Sequence, residues 1–175
     1  INSSINASLR LQGLNFSGVD LSRLDLSHVN FQLADLSYAN LSKCYLDDAL
    51  LQDANLSFAN LQQCKLRGAN LARANLEGAC LKGSDFEDRG GMKANLENAN
   101  LKNALLEDVN FTGANLRAAI LRGCSLENAN LHKADLAGAD LEGVNLKGAN
   151  LSKANLSGAN LHGANFDIRA VSSRQ

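Results

Sequence analysis

Every fifth residue from Leu11 to Phe166 is leucine or phenylalanine, with a single break at Gly91. Of 31 such centres, 26 are Leu and 5 are Phe. Two residues before the centre stands Ala in 20 of the 31 units, and one residue before it stands Asn or Asp in 23. The working unit is Ala-(Asn/Asp)-Leu-x-x, as in Ala69-Asn70-Leu71-Ala72-Arg73. A period of five excludes both regular structures. An α-helix turns about 100° per residue, so leucines five apart (roughly 500°) share no face. A strand alternates with period two, so an odd spacing sends successive leucines to opposite sides. A solenoid satisfies the pattern: one short straight side and one corner per unit return every leucine to the interior, and four units close a square coil of twenty residues.

Each slot then has a physical task. The centre fills the tube, and the residue two before it points inward where only a small side chain fits. The first units break that rule with Leu9, Leu14, Val19, Leu24 and Val29, so the N-terminal end is expected to be wider or differently packed. Asn or Asp before the centre favours tight-turn geometry by bonding nearby backbone. Twelve of the 14 glycines fall in the last slot of a unit, which marks it as the corner. No proline occurs, as expected where almost every N–H is needed for bonds between coils.

These repeats resemble the pentapeptide-repeat family, and the resemblance covers residues 9–168. It implies an all-β fold, a right-handed quadrilateral parallel β-helix of about eight coils, with flanks at 1–8 and 169–175 and an irregular unit at 89–93. Neither flank reads as a strong cap, so another body is expected to cover at least one end. The chain opens on Ile1 and is expected to be part of a longer protein.

Nothing in the chain points to catalysis. His28, His132 and His162 lie on outward slots of different units without a nucleophile or carboxylate at diagnostic spacing. No phosphate-cradling loop, Cys-x-x-Cys or His cluster is present. No catalytic, cofactor-binding or metal-binding residue is assigned, and no cofactor, nucleic-acid partner or membrane span is expected. Cys44, Cys64 and Cys124 occupy the small inward slot and read as buried substitutes for Ala; Cys80 replaces the usual Asn.

Function is therefore expected on the outer surface. If residues 89–93 fill one side of the square, a single wall gathers Asp47, Asp48, Glu87, Asp88, Glu107, Asp108 and Glu127, while two other walls are mildly basic. That masks itself in a formal net charge of −1. Should 89–93 loop out, everything after them rotates by one face. The interruption Arg89-Gly90-Gly91-Met92 is either a tolerated bulge or a protruding partner-binding loop. A second irregularity is the outward apolar set Leu33, Tyr38, Tyr45, Leu50 and Phe58, where Tyr38 and Phe58 share a slot one coil apart and should form an exposed aromatic ladder.

The segment Leu14-Asn15-Phe16-Ser17-Gly18-Val19-Asp20-Leu21 through Leu26 resembles the repeat domain of the pentapeptide-bearing BTB/potassium-channel-tetramerisation-domain family. So does Phe86-Glu87-Asp88 followed by Gly91 and Lys93-Ala94-Asn95-Leu96-Glu97. The resemblance implies a non-catalytic, intracellular module, cytoplasmic or alternatively nuclear, that binds a protein substrate for a cullin-3 ubiquitin ligase. Cullin-3 would be reached only through a BTB domain that these residues do not contain, and the isolated repeat domain is expected to be monomeric. The alternative is a stand-alone pentapeptide-repeat protein that binds a topoisomerase as a DNA mimic or serves a structural role. Members of the fluoroquinolone-resistance type resemble B-form DNA and are strongly acidic over much of the rod, unlike this near-neutral chain.

Overall fold

The computed structural model describes residues 11–88 and 90–166. The chain winds as a right-handed square coil, in which each unit contributes one parallel bridge residue to a side and then a turn. Bridges join residues twenty apart from Asn15↔Asp35 to Lys65↔Asp85, then twenty-five apart from Asn70↔Asn95 to Asp85↔Asn110, then twenty apart again from Asn95↔Asn115 onward. The five extra residues therefore do not occupy a side. They leave the square after Asp88, and the coil resumes at Ala94.

We number the sides by their centres. Side 1 carries Leu11, Phe31, Leu51 and Leu71, then Leu96 and its successors. Side 2 starts at Phe16, side 3 at Leu21 and side 4 at Leu26. Coils 1 to 7 begin at Leu11, Phe31, Leu51, Leu71, Leu96, Leu116 and Leu136; the chain continues to Phe166.

One unit shows why the sequence repeats as it does. Ala34 N–H donates to the carbonyl of Phe31 (3.0 Å) and closes the corner. Asp35 N–H reaches back to Leu14 (3.0 Å), while Leu36 and Tyr38 N–H donate forward to Asn55 (2.7 Å) and Ser57 (2.9 Å). The fifth donor, Ser37 N–H, has no carbonyl to meet and goes to the Asp35 carboxylate at 3.0 Å. All five N–H groups are thus bonded, which accounts for the missing proline.

The Asn slot does a second job. Its amide donates to the same atom one coil earlier, so Asn100 bonds Asn75 (3.0 Å), Asn75 bonds Asn55 (3.3 Å) and Asn55 bonds Asp35 (3.1 Å). Asp has no N–H to donate and can only start such a ladder. Asp20, Asp35, Asp85, Asp135 and Asp140 do so, each accepting from an Asn in the next coil.

The core is a continuous stack of Leu and Phe with Ala between them, fully buried from about Val29 to Val144. Phe86 and Phe111 meet at 4.8 Å, bracketing the level where the inserted loop departs. The bulky early residues, expected where the end is wider or differently packed, differ from later units in exposure. Leu14, Val19 and Leu24 lie half exposed on the first described coil, whereas Val29 is fully buried. Among the described residues no coil packs against that slot from below, which leaves room there for a large side chain. Leu9, the expected flanks at 1–8 and 169–175, and the end caps lie outside the described residues.

Candidate functional site: an aromatic corner and a raised loop

The last slot of each regular unit has φ near +60°, in the left-handed region. Glycine fits it freely, and an L-residue pays about 1–2 kcal/mol. Most non-glycine occupants are polar, and none is β-branched. Tyr38 and Phe58 both sit at φ 58 in this slot. They are 65% and 53% exposed and stack face to face, with centroids 5.2 Å apart and planes at 14°. Their stacking recovers part of that cost, about 0.5–1.5 kcal/mol. The Phe58 ring leans toward the next coil: a Cβ placed on Gly78 would lie 2.5 Å from it. Glycine at position 78 is what lets the ring lie flat along the edge between sides 2 and 3.

The remaining members of the expected apolar set do not join this pair. Leu33 ends side 1, Tyr45 starts side 4 between Asp25 and Lys65, and Leu50 starts side 1 between Asn30 and Asn70. All three are exposed, but they are distributed around the rod, because a sequence separation of five means a different side.

Gly90, Gly91 and Met92 are exposed in the looped-out insertion, and Arg89 lies outside the described residues. Gly91 N–H donates to the Asp88 carboxylate at 2.9 Å. Met92 folds back over side 4, with its Cβ at 3.6 Å from where a Gly68 Cβ would stand. Together with Asp47, Asp48, Arg67 and Gly68 it lines a cleft of about 190 Å³. Within that cleft Arg67 grips Asp47 through Nε (3.0 Å), Nη2 (2.7 Å) and its own backbone N–H (3.0 Å). The last of these bonds replaces the one that an Asn would have given, since Lys65 stands in the Asn slot.

The acidic wall must be redrawn. Asp47, Asp48, Glu87 and Asp88 remain on side 4, but Glu107, Asp108 and Glu127 lie on side 3, because Leu105 bridges Cys80 and Ser125. Opposite charges also alternate along the rod. Lys65 pairs with Asp85 (3.5 Å), Lys82 with Glu107 (3.5 Å), Arg73 with Asp53 (2.7 Å) and Arg117 with Asp135 (3.1 Å). Arg122 pairs with both Asp140 and Glu142. Such exposed pairs are worth little individually, yet they break any continuous acidic run.

Several ladder-starting aspartates are held below the ordinary carboxylate value of 3.8. Backbone and side-chain bonds from Ser22 lower Asp20, bonds from Ser37 lower Asp35, and Arg122 lowers Asp140. A carboxyl with a depressed folded-state pKa adds stability above its unfolded value, and that contribution disappears as pH falls through the folded value. Urea midpoints should therefore hold from pH 7 to about 5 and fall on acidification below about pH 4. Asp35→Asn, which keeps the acceptor, should blunt the fall. An identical midpoint at pH 3 and pH 7 would contradict this account.

Cys44, Cys64 and Cys124 are buried and unpaired with one another. Each thiol donates to a carbonyl one coil earlier, at 2.8–2.9 Å, and burial pushes Cys64 and Cys124 up to about 12. His132 bonds Ser152 (2.7 Å) and His28 faces Asp48 (3.8 Å). Among the described residues no group of three or more His, Cys, Asp or Glu is placed to hold a metal, and no helix is long and apolar enough to cross a membrane. Two exposed apolar residues were missed by sequence reasoning: Leu105 on side 3 and Ile120 on side 2. Their signal was present, since both interrupt an Asn ladder.

A family model described as pentapeptide repeats matches residues 15–53, 49–88, 92–128, 110–148 and 129–167, in 8 copies. No curated protein sequence matches significantly. Among solved structures, full-length QnrB1, a plasmid-mediated fluoroquinolone resistance protein, is 21% identical with TM-score 0.65, covering 90% of this chain and 84% of that one. A trypsin-treated variant of it is 22% identical with TM-score 0.64, covering 93% and 87%. HetL, involved in heterocyst differentiation regulation in the cyanobacterium Nostoc sp., is 28% identical over 88% of this chain and 87% of its own, with TM-score 0.37.

Proposed function

We propose that this chain, which belongs to the pentapeptide-repeat family, is a non-catalytic rod that binds a protein partner through its outer surface. The observation that carries this reading is the Tyr38–Phe58 stack. Two large aromatic rings stand exposed on left-handed corners, where they add nothing to the core and where many other units use glycine. Aromatic side chains anchor interfaces because they bury much area while losing little rotamer freedom. The Met92 loop is a second raised feature, on the diagonally opposite edge of the rod, between sides 4 and 1.

Two finer assignments compete. One is a stand-alone pentapeptide protein that binds a topoisomerase, compatible with the fold shared with the fluoroquinolone resistance protein QnrB1 over most of both chains, although the alternating charge of the rod weighs against imitation of DNA. The residues around the interruption, Phe86 to Glu97, favour the substrate arm of a BTB adaptor. Inhibition of gyrase supercoiling by the purified rod, lost at high salt, would select the first. A BTB domain in the upstream reading frame would select the second.

The common reading is tested by quantitative affinity capture with the intact chain and with Tyr38→Ala/Phe58→Ala. At least one protein retained by the wild type should fall tenfold or more with the double variant, whose melting temperature should fall by only a few degrees, because alanine keeps the left-handed cost and loses about 0.5–1.5 kcal/mol of stacking. An unchanged set of retained proteins would remove the aromatic corner as the binding surface.

A further inference from the structure

We infer that side 3 pairs two copies of this chain, antiparallel, about a two-fold axis at the level between coils 3 and 4. The inference rests on the aromatic corner being a contact surface and names one partner for it. Side 3 changes sign along the rod. Along its corner slot it carries Arg23 in coil 1 and Lys43 in coil 2, then Asp108 in coil 5, with Glu107 and Glu127 of coils 5 and 6 beside that slot, while Asp20 of coil 1 and Lys82 of coil 4 stand off the corner. Lys43 and Asp108 make no ion pair among the described residues, although nearby Lys82 and Glu107 do.

A two-fold axis lying in the plane of the side and perpendicular to the rod sets coil 2 against coil 5 and coil 1 against coil 6. It also keeps each edge of the side against the same edge of the other copy. Lys43 and Asp108 occupy the same corner slot, so each meets its opposite charge, and Arg23 faces Asn128 with Glu127 beside it. The level between coils 3 and 4 is also reached from a separate observation. The Phe58 ring leaves coil 3 and lies over Gly78 of coil 4, which is the height of the axis, on the edge shared by sides 2 and 3. The two Phe58 rings would therefore meet across the axis, each backed by its own Tyr38. The coils between the charged pairs bring Gln62 and Gln63 opposite Lys82 and Gly83, so no like charges face one another there.

The contact is a strip one side wide and about six coils (roughly 29 Å) long. It belongs to the small, weak class of interfaces, with charge pairs at its rim screened by salt. Self-association is expected at about 0.1–1 mM protein and low ionic strength.

Sedimentation velocity on the intact chain, from about 10 µM to 1 mM, tests this together with charge-reversed variants. Lys43→Asp and Asp108→Lys should each weaken self-association at least tenfold, because each sets like charges against one another. An equimolar mixture of the two should associate again, because 43 and 108 are then opposite in sign in both contacts. The doubly reversed single chain should recover as well, and Phe58→Ala should weaken pairing without reversing any charge. Unchanged far-ultraviolet circular dichroism and a cooperative melt within a few degrees of the wild type show that each variant folds. A chain that stays monomeric throughout, single reversals without effect, or a mixture that fails to associate overturns the inference. If self-association is absent while Tyr38→Ala/Phe58→Ala still loses a captured protein, the corner serves another partner and only the self-pairing is wrong.

Discussion

Phe111→Ala is expected to lower the free energy of unfolding by about 3–5 kcal/mol. The ring is fully buried and packs on Phe86 at 4.8 Å with planes at 34°. Phe86 N–H donates to Asn110 (2.8 Å), so the pair joins the last coil before the looped-out insertion to the first full coil after it. Nothing can collapse into the space, because each inward residue is tied to a corner held by backbone bonds on both sides. In a solenoid each coil contacts only its neighbours, so the loss falls at one level and should broaden the transition as well as shift it. Urea unfolding followed by circular dichroism checks both effects. Phe16, only partly buried on the first coil, supplies the control: Phe16→Ala should cost less than half as much. Equal costs at the two positions would show that the tube does not work as a stack with a soft end.

The second large effect runs the other way in volume. Ala104→Leu should destabilise by about 1–3 kcal/mol or more, a fall of roughly 2–4 °C in melting temperature per kcal/mol for a chain of this size. Ala104 is fully buried in a stack with Ala79 before it and Cys124 after it, and three extra carbons have nowhere to go. Leu24 occupies the corresponding slot of its unit in coil 1, where it is 39% exposed. Leu24→Ala should therefore be nearly neutral. Thermal melts of the two variants decide the point; a harmless Ala104→Leu would mean that the inner wall is looser than its packing indicates.

Much of this architecture was legible in the chain because a period of five admits few folds. Leu and Phe at the centres, Ala and Cys in the small slot and Gly at the corners all took the places their chemistry demands. The Asn slot was legible only in part. Its preference for turns could be read, but not that it answers the one N–H without a carbonyl, nor that Asp must start each ladder because it cannot donate. The candidate surface was less accessible. Tyr38 and Phe58 share a slot one coil apart, and the structure stacks them as expected. Leu33, Tyr45 and Leu50 are as close in sequence, yet corners separate them.

The beat of leucine and phenylalanine by itself determined the square coil, its interior and the exclusion of helix and extended strand, because those depend on local spacing alone. Only the tertiary structure decided what the interruption at Gly90-Gly91-Met92 does. A five-residue insertion can fill one side or leave the square, and local spacing is the same in both cases. Bonds such as Leu71 N–H to Asn95 (2.7 Å) settle it in favour of looping out. That single register step moves Glu107, Asp108 and Glu127 from side 4 to side 3, and so determines which charges share a surface.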